Sequence, residues 1–146
     1  MLTQSQLESW GERVGASVAT PVFFALRGDL GAGKSVLARA IARGAGVSAA
    51  MPSPTFNLVF RYAGREGTEV LHMDLYRLER ADDVWALGWS DIGHSNEIAL
   101  VEWPERAGPL LPPDRWDIDL DYATPDLRTL TARPVGSVPQ LPAPAP

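Results

Sequence analysis

An α/β fold built on a mixed sheet, with parallel core strands and antiparallel edge hairpins, is predicted by three features of the sequence. Residues 22–26, Val-Phe-Phe-Ala-Leu, form a short and wholly apolar run, the pattern of a strand covered on both faces. A glycine-rich turn follows at once and leads into a helical pattern. A second apolar run over 98–101 is followed by Glu102, so two buried strands are separated by enough chain for a crossover.

The chain has 146 residues, 45% of them hydrophobic, which suits one globular domain with a real core. That domain is expected over residues 1–133. Residues 134–146, rich in proline and alanine, carry little core-forming content and are expected to form a disordered tail. No apolar run approaches the roughly 20 residues of a membrane span, and no charged-then-apolar leader opens the chain. A cytoplasmic protein without membrane attachment is expected. Zero cysteines exclude disulfides and thiolate metal sites, and two histidines argue against structural zinc. The net charge of −5 gives no general pull towards nucleic acid, whose binding rests on phosphate neutralisation.

Taken in order, Thr3 and Gln6 have the spacing of a capping box and open a helix to about Ser17. Leu7, Trp10 and Val14 give it an apolar stripe. After the strand at 22–26, Gly28-Asp-Leu-Gly-Ala-Gly-Lys-Ser35 matches the phosphate-binding loop G-x-x-x-x-G-K-[ST]. Glycines at 28, 31 and 33 let the backbone take positive φ and turn its N–H groups towards phosphate oxygens. The helix that starts there adds unpaired donors and a positive dipole end. Lys34 can reach the β- and γ-phosphates, and the Ser35 hydroxyl can hold a magnesium ion. The candidate nucleotide-binding set is Gly28, Gly31, Ala32, Gly33, Lys34, Ser35 and Val36. In the helix, Val36, Leu37, Ala40 and Ile41 share one face, with Arg39 and Arg43 on the other.

Two prolines in Met51-Pro-Ser-Pro-Thr55 bracket Ser53. This segment reads either as a rigid connection or as a nucleotide-sensing loop of the switch type. A hairpin is expected next, from the strand 56–62, a turn at 64–67 and a returning strand 68–73. Asp74 closes that strand, either as a positioner of water or metal or as a cap for the residues after it. His72 reads as structural or as a hydrogen-bonding neighbour of the site. Residues 81–87 suggest a short helix, and Trp85 and Trp89 read as core. Glu102, directly after its apolar strand, has the pattern of a magnesium-associated acid beside a phosphate loop. Strict alternation over 116–122 predicts an edge-type antiparallel strand with its acids outward, and 127–133 the last strand.

Four segments together resemble the TsaE (YjeE) family of small bacterial ATPases: the loop 28–35, Ser53-Pro-Thr-Phe56, His72-Met-Asp-Leu-Tyr-Arg77 and Leu100-Val-Glu-Trp-Pro-Glu-Arg106. Ser35 stands where the family more often has threonine, and either carries the needed hydroxyl. The resemblance implies a P-loop NTPase-like three-layer fold, with ATP and Mg2+ as cofactors. It implies a role in making threonylcarbamoyladenosine in tRNA, next to the anticodon. The expected partner is a TsaB–TsaD heterodimer, with tRNA reached only through the partners and ATP hydrolysis resetting the assembly. Carried over to this chain, the magnesium ligands fall on Ser35 and Glu102, the strand-end aspartate on Asp74 and the switch threonine on Thr55. Lys34, Asp74, Glu102 and Thr55 are thus the candidate catalytic residues. Contacts to the nucleotide base would fall at Gln4 and Arg128. The rival readings are a small-molecule or nucleotide kinase, against which stands the want of an arginine-rich lid, and a non-hydrolysing ATP-dependent switch or scaffold.

Overall fold

The computed structural model describes residues 1–29, 31–48, 59–76, 78, 80, 83, 89 and 96–143. Its centre is a six-stranded sheet in the order β2-β3-β4-β1-β5-β6. The strands are β1 (Val22–Arg27), β2 (Val59–Ala63), β3 (Glu69–Asp74), β4 (Glu97–Glu102), β5 (Arg115–Thr124) and β6 (Leu127–Val135). β1 runs parallel to β4 and β5, and β3 parallel to β4. β2 and β6 close the two edges as antiparallel partners of β3 and β5. The expected parallel core with antiparallel edge hairpins is what the molecule shows.

The continuous apolar run of β1 is explained by its position. It lies between β4 and β5 with a packed cluster of side chains on each face, and Phe24, Ala25 and Leu26 are wholly buried. Phe24, Leu26, Ile98, Leu100 and Ile118 point to one face, where they meet α1 (Gln4–Ser17) and α2 (Lys34–Gly44). The other face, bearing Phe23, Ala25, Leu71, Met73 and Val101, packs against Leu75, Trp89 and Ala107. Trp89 lies edge-on to Phe23 at 5.9 Å, as a core residue. The helix expected at 81–87, with Trp85, the segment 51–55 and the first three residues of the strand expected at 56–62 fall largely or wholly outside the described residues.

α1 opens with the capping box foreseen for it: the Thr3 side chain accepts from Gln6 N–H, and the Gln6 side chain accepts from Thr3 N–H. The two helices approach backbone to backbone. A Cβ added at Gly15 would lie 1.9 Å from the carbonyl oxygen of Ile41, and one at Gly44 2.0 Å from that of Glu12. Arg43 ties the outer faces together through Glu12 at 3.1 Å.

Two expectations are corrected. β5 is not an edge strand, since it lies between β1 and β6. Alternation reports how many faces of a strand are covered, not how many hydrogen-bonded neighbours it has. Nor do all its acids face water: Asp117 is buried, 3.0 Å from Arg115 Nε and 3.6 Å from Arg27. The boundary at 133 also falls inside β6, which runs to Val135, and residues 136–143 pack on the body instead of trailing away. The indole N–H of Trp116 donates to Pro139 O and that of Trp10 to Pro142 O, both at 2.8 Å, while Leu141 rests on the main core. Prolines lack N–H groups, but their carbonyls remain free to accept, and these satisfy two tryptophans.

Ending the chain after Val135 should therefore destabilise it. Trp10 is almost fully buried, and stripping a buried donor of its acceptor costs about 1–3 kcal/mol, to which loss of the Leu141 contact adds. A thermal melt of the shortened chain should show a lowered midpoint. An unchanged midpoint would mean that these contacts carry no weight.

Candidate functional site

The loop between β1 and α2 takes its shape from its glycines. Gly28, Gly31 and Gly33 have φ of 148°, 80° and 112°, values that a side chain resists. Gly28 is further restricted, because a Cβ there would stand 2.4 Å from Leu120 O. α2 begins at Lys34 with Gly33 as its N-cap and no side chain capping it, which leaves the first N–H groups of the helix available to an anion.

Lys34 is buried and folds back over the loop. Its ammonium donates to Gly28 O and, at 3.2 Å, to Asp29 O, and it lies 3.9 Å from the centre of the Trp103 ring. Burial pulls its pKa down from the ordinary value, and the charges of Glu102, Asp74, Glu105 and Asp29 oppose that. Trp103 reaches this place by an unusual backbone, with φ of 56° directly after β4.

Because β4 lies beside β1, the expected neighbour relation of Glu102 and the loop holds: Glu102 pairs in register with Leu26. The Ser35 hydroxyl is 2.9 Å from both Glu102 oxygens. Nε2 of His72 is 2.6 Å from Glu102 Oε2. Asp74 is the register partner of Glu102 on β3, so the two strand-end carboxylates are neighbours. Burial pushes the Asp74 carboxyl up, the N–H of Tyr76 opposes this, and Glu102 adds to it. That N–H donates to Asp74 Oδ1 at 2.9 Å, so Asp74 both caps a local turn and lines the site. Lys34, Ser35, Val36, Asp74, Glu102 and Trp103, with Gly31 and Gly33, surround one cavity of about 290 Å³.

The donor set suits magnesium. This ion keeps several waters and takes one or two carboxylates together with phosphate oxygens, not a cage of protein ligands. Ser35 and Glu102 supply a hydroxyl and a carboxylate already in contact. Among the described residues there is no cluster of three or more His, Cys, Asp and Glu side chains that would suit a more demanding metal.

The remaining expected site residues fall as follows. Ala32 is buried, and its carbonyl accepts from Arg128 Nε at 3.1 Å. Arg128 thus buttresses the loop from β6, with its guanidinium 4.1 Å from the Tyr122 ring centre. Gln4 is exposed at the start of α1, two residues beyond Leu2, whose backbone bridges to Arg128 in both directions at 2.7 Å. The fold therefore brings the N-terminal segment, Arg128 and the loop to one side. Thr55 lies outside the described residues. Sequence reasoning missed two loop contacts, Trp103 over Lys34 and the Tyr122 hydroxyl donating to Gly31 O. Neither has a local signature, since each arises from strands meeting in three dimensions.

A six-stranded mixed sheet with a glycine loop running from its central strand into a helix, and an acid ending the adjacent strand, defines a P-loop NTPase-like α/β protein. A family model described as "Threonylcarbamoyl adenosine biosynthesis protein TsaE" matches residues 1–130. The tRNA threonylcarbamoyladenosine biosynthesis protein TsaE of Bacillus subtilis is 37% identical over 113 residues, which cover 77% of this chain and 69% of that protein. Its counterpart in Haemophilus influenzae is 37% identical over 97 residues, 66% of this chain and 61% of the other. The crystal structure of Bacillus subtilis YdiB superposes with a TM-score of 0.76 at 26% identity, covering 93% of this chain and 83% of that one. The chain belongs to the TsaE family, which takes part in tRNA threonylcarbamoyladenosine biosynthesis. No helix among the described residues is long and apolar enough to cross a membrane.

Proposed function

We propose that the chain binds and hydrolyses ATP with Mg2+, as the cytoplasmic ATPase component of the threonylcarbamoyladenosine-forming machinery, acting with a TsaB–TsaD-type heterodimer. The observation that carries this reading is the contact of the Ser35 hydroxyl with both Glu102 oxygens beside the buried Lys34. A cation, a hydroxyl and a carboxylate stand together at the N-terminus of α2. Bound magnesium would neutralise charge on the β- and γ-phosphates. The chain's own part is to bind and orient: loop N–H groups receive the phosphates, Lys34 leaves the loop carbonyls for phosphate oxygens, and Ser35 and Glu102 hold the ion. Asp74 orients water. The net charge of −5 fits a component that leaves tRNA contact to its partners.

Turnover measured alone and with the heterodimer tests the reading. Slow Mg2+-dependent ATP hydrolysis alone, stimulated by the partners, is expected. Phosphorylation of an added small molecule would make the chain a kinase, and binding without turnover in either setting would make it a switch. A further expectation concerns residues 53–55. Acting as a switch loop, they should gain protection from hydrogen exchange with a non-hydrolysable ATP analogue and Mg2+ beyond that given by ADP. Equal protection in both states would make them a plain connector.

A further inference from the structure

His72 is fully buried in the middle of β3. Side chains alternate along a strand, so it shares a face with Val70 and Asp74, and in the parallel register it stands beside Leu100. Val70, Ile98 and Leu100 belong to the apolar core under the helices. His72 therefore occupies the step between that core and the phosphate site, where an aliphatic side chain would pack without the cost of burying a polar ring.

The ring has one polar contact among the described residues. Nε2 meets Glu102 Oε2 at 2.6 Å, while Nδ1, also buried, has no partner there. A carboxylate only accepts, so Nε2 is the donor in this contact. Glu102 needs an anchor of this kind. The Ser35 hydroxyl sits at 2.9 Å from each of its oxygens and so cannot distinguish them. The bond from His72 does.

We propose that His72 is a positioning residue for magnesium. By holding Oε2, it fixes the rotation of the Glu102 carboxylate and leaves Oε1 as the oxygen presented, beside the Ser35 hydroxyl, to the ion. This rests on the Mg2+–ATP reading above. Outer contacts that orient a ligating group typically change metal affinity about 10- to 100-fold.

The test is the affinity for ATP in Mg2+ and in EDTA, measured with melting temperatures for the wild type, His72→Gln, His72→Asn and His72→Leu. Glutamine can place an amide N–H near the position of Nε2, whereas asparagine is one methylene short and leucine offers no donor. Glutamine should keep the affinity gained from Mg2+. Asparagine and leucine should lose about 10- to 100-fold of that gain, with affinity in EDTA unchanged. Should the leucine variant fail to fold, the glutamine–asparagine pair carries the comparison. A full Mg2+ gain in the asparagine variant would overturn the proposal. So would an equal loss in Mg2+ and in EDTA, which is the behaviour of a merely structural residue. A wild type that gains nothing from Mg2+ would instead overturn the underlying Mg2+–ATP reading, and the role of His72 with it.

Discussion

Lys34→Ala is expected to abolish productive ATP turnover, lowering the rate by about 100- to 1,000-fold or more, the usual loss when a donor aimed at developing charge is removed. The loop N–H groups and the helix N-terminus would remain, so binding should weaken less than turnover falls. The fold should tolerate the change. Lys34 contributes its ammonium to two loop carbonyls, Gly28 O and Asp29 O, and Asp29 is exposed to water. Trp103 would lose the cation 3.9 Å from its ring, and its fluorescence should change in consequence. Steady-state hydrolysis and a thermal melt on the same preparation separate the two effects. Undiminished Mg2+-dependent hydrolysis in a folded variant would remove the loop from the mechanism. Loss of activity together with a collapsed melt would mean that Lys34 supports the fold instead.

Much of this site is legible in the sequence, for a physical reason. The apolar run of β1, the glycines of the loop and the amphipathic pattern of α2 are contiguous, and each imposes its own local geometry. Glu102 could be placed because a strand buried on both faces must leave the core at its end, and the end beside a phosphate loop has one chemistry. Position in the sheet was harder. β5 alternates because one face is covered, and nothing in that pattern tells that its backbone is paired on both sides. Residues 136–143 have the composition of a disordered segment, yet their value to the fold lies in bare carbonyls that two tryptophans need, and hydropathy does not count carbonyls. Arg128 and Tyr122 meet the loop from a hairpin almost 100 residues away in sequence, at separations of 96 and 91. Such contacts leave no spacing to recognise. The same holds for Asp74 and Glu102, which are neighbours only through the register of β3 on β4.

That register sharpens the second large expectation, which concerns the division of work between the two carboxylates. Glu102 accepts from Ser35 at both oxygens and from His72 at one. In Glu102→Gln the shape is kept, but one oxygen becomes an NH2 that can only donate. If the amide oxygen stays with His72, the NH2 faces Ser35 and turns that hydroxyl from donor to acceptor, so a lone pair meant for the ion is engaged and the negative charge is gone. ATP affinity in Mg2+ should fall at least about 10-fold, while affinity in EDTA stays near that of the wild type. Asp74→Asn differs. Its amide oxygen can still accept the Tyr76 N–H that Asp74 Oδ1 now accepts, so the local turn survives, and no Ser35 contact is disturbed. Binding should persist with and without Mg2+. Hydrolysis in the partner complex should fall by about 100-fold or more, the range for losing a group that handles a proton or water in the transition state. Equilibrium titration of labelled ATP, in Mg2+ and in EDTA, and single-turnover hydrolysis, run on both variants, give the six numbers needed. Loss of Mg2+-coupled binding in Asp74→Asn, with Glu102→Gln retaining it, would exchange the two roles.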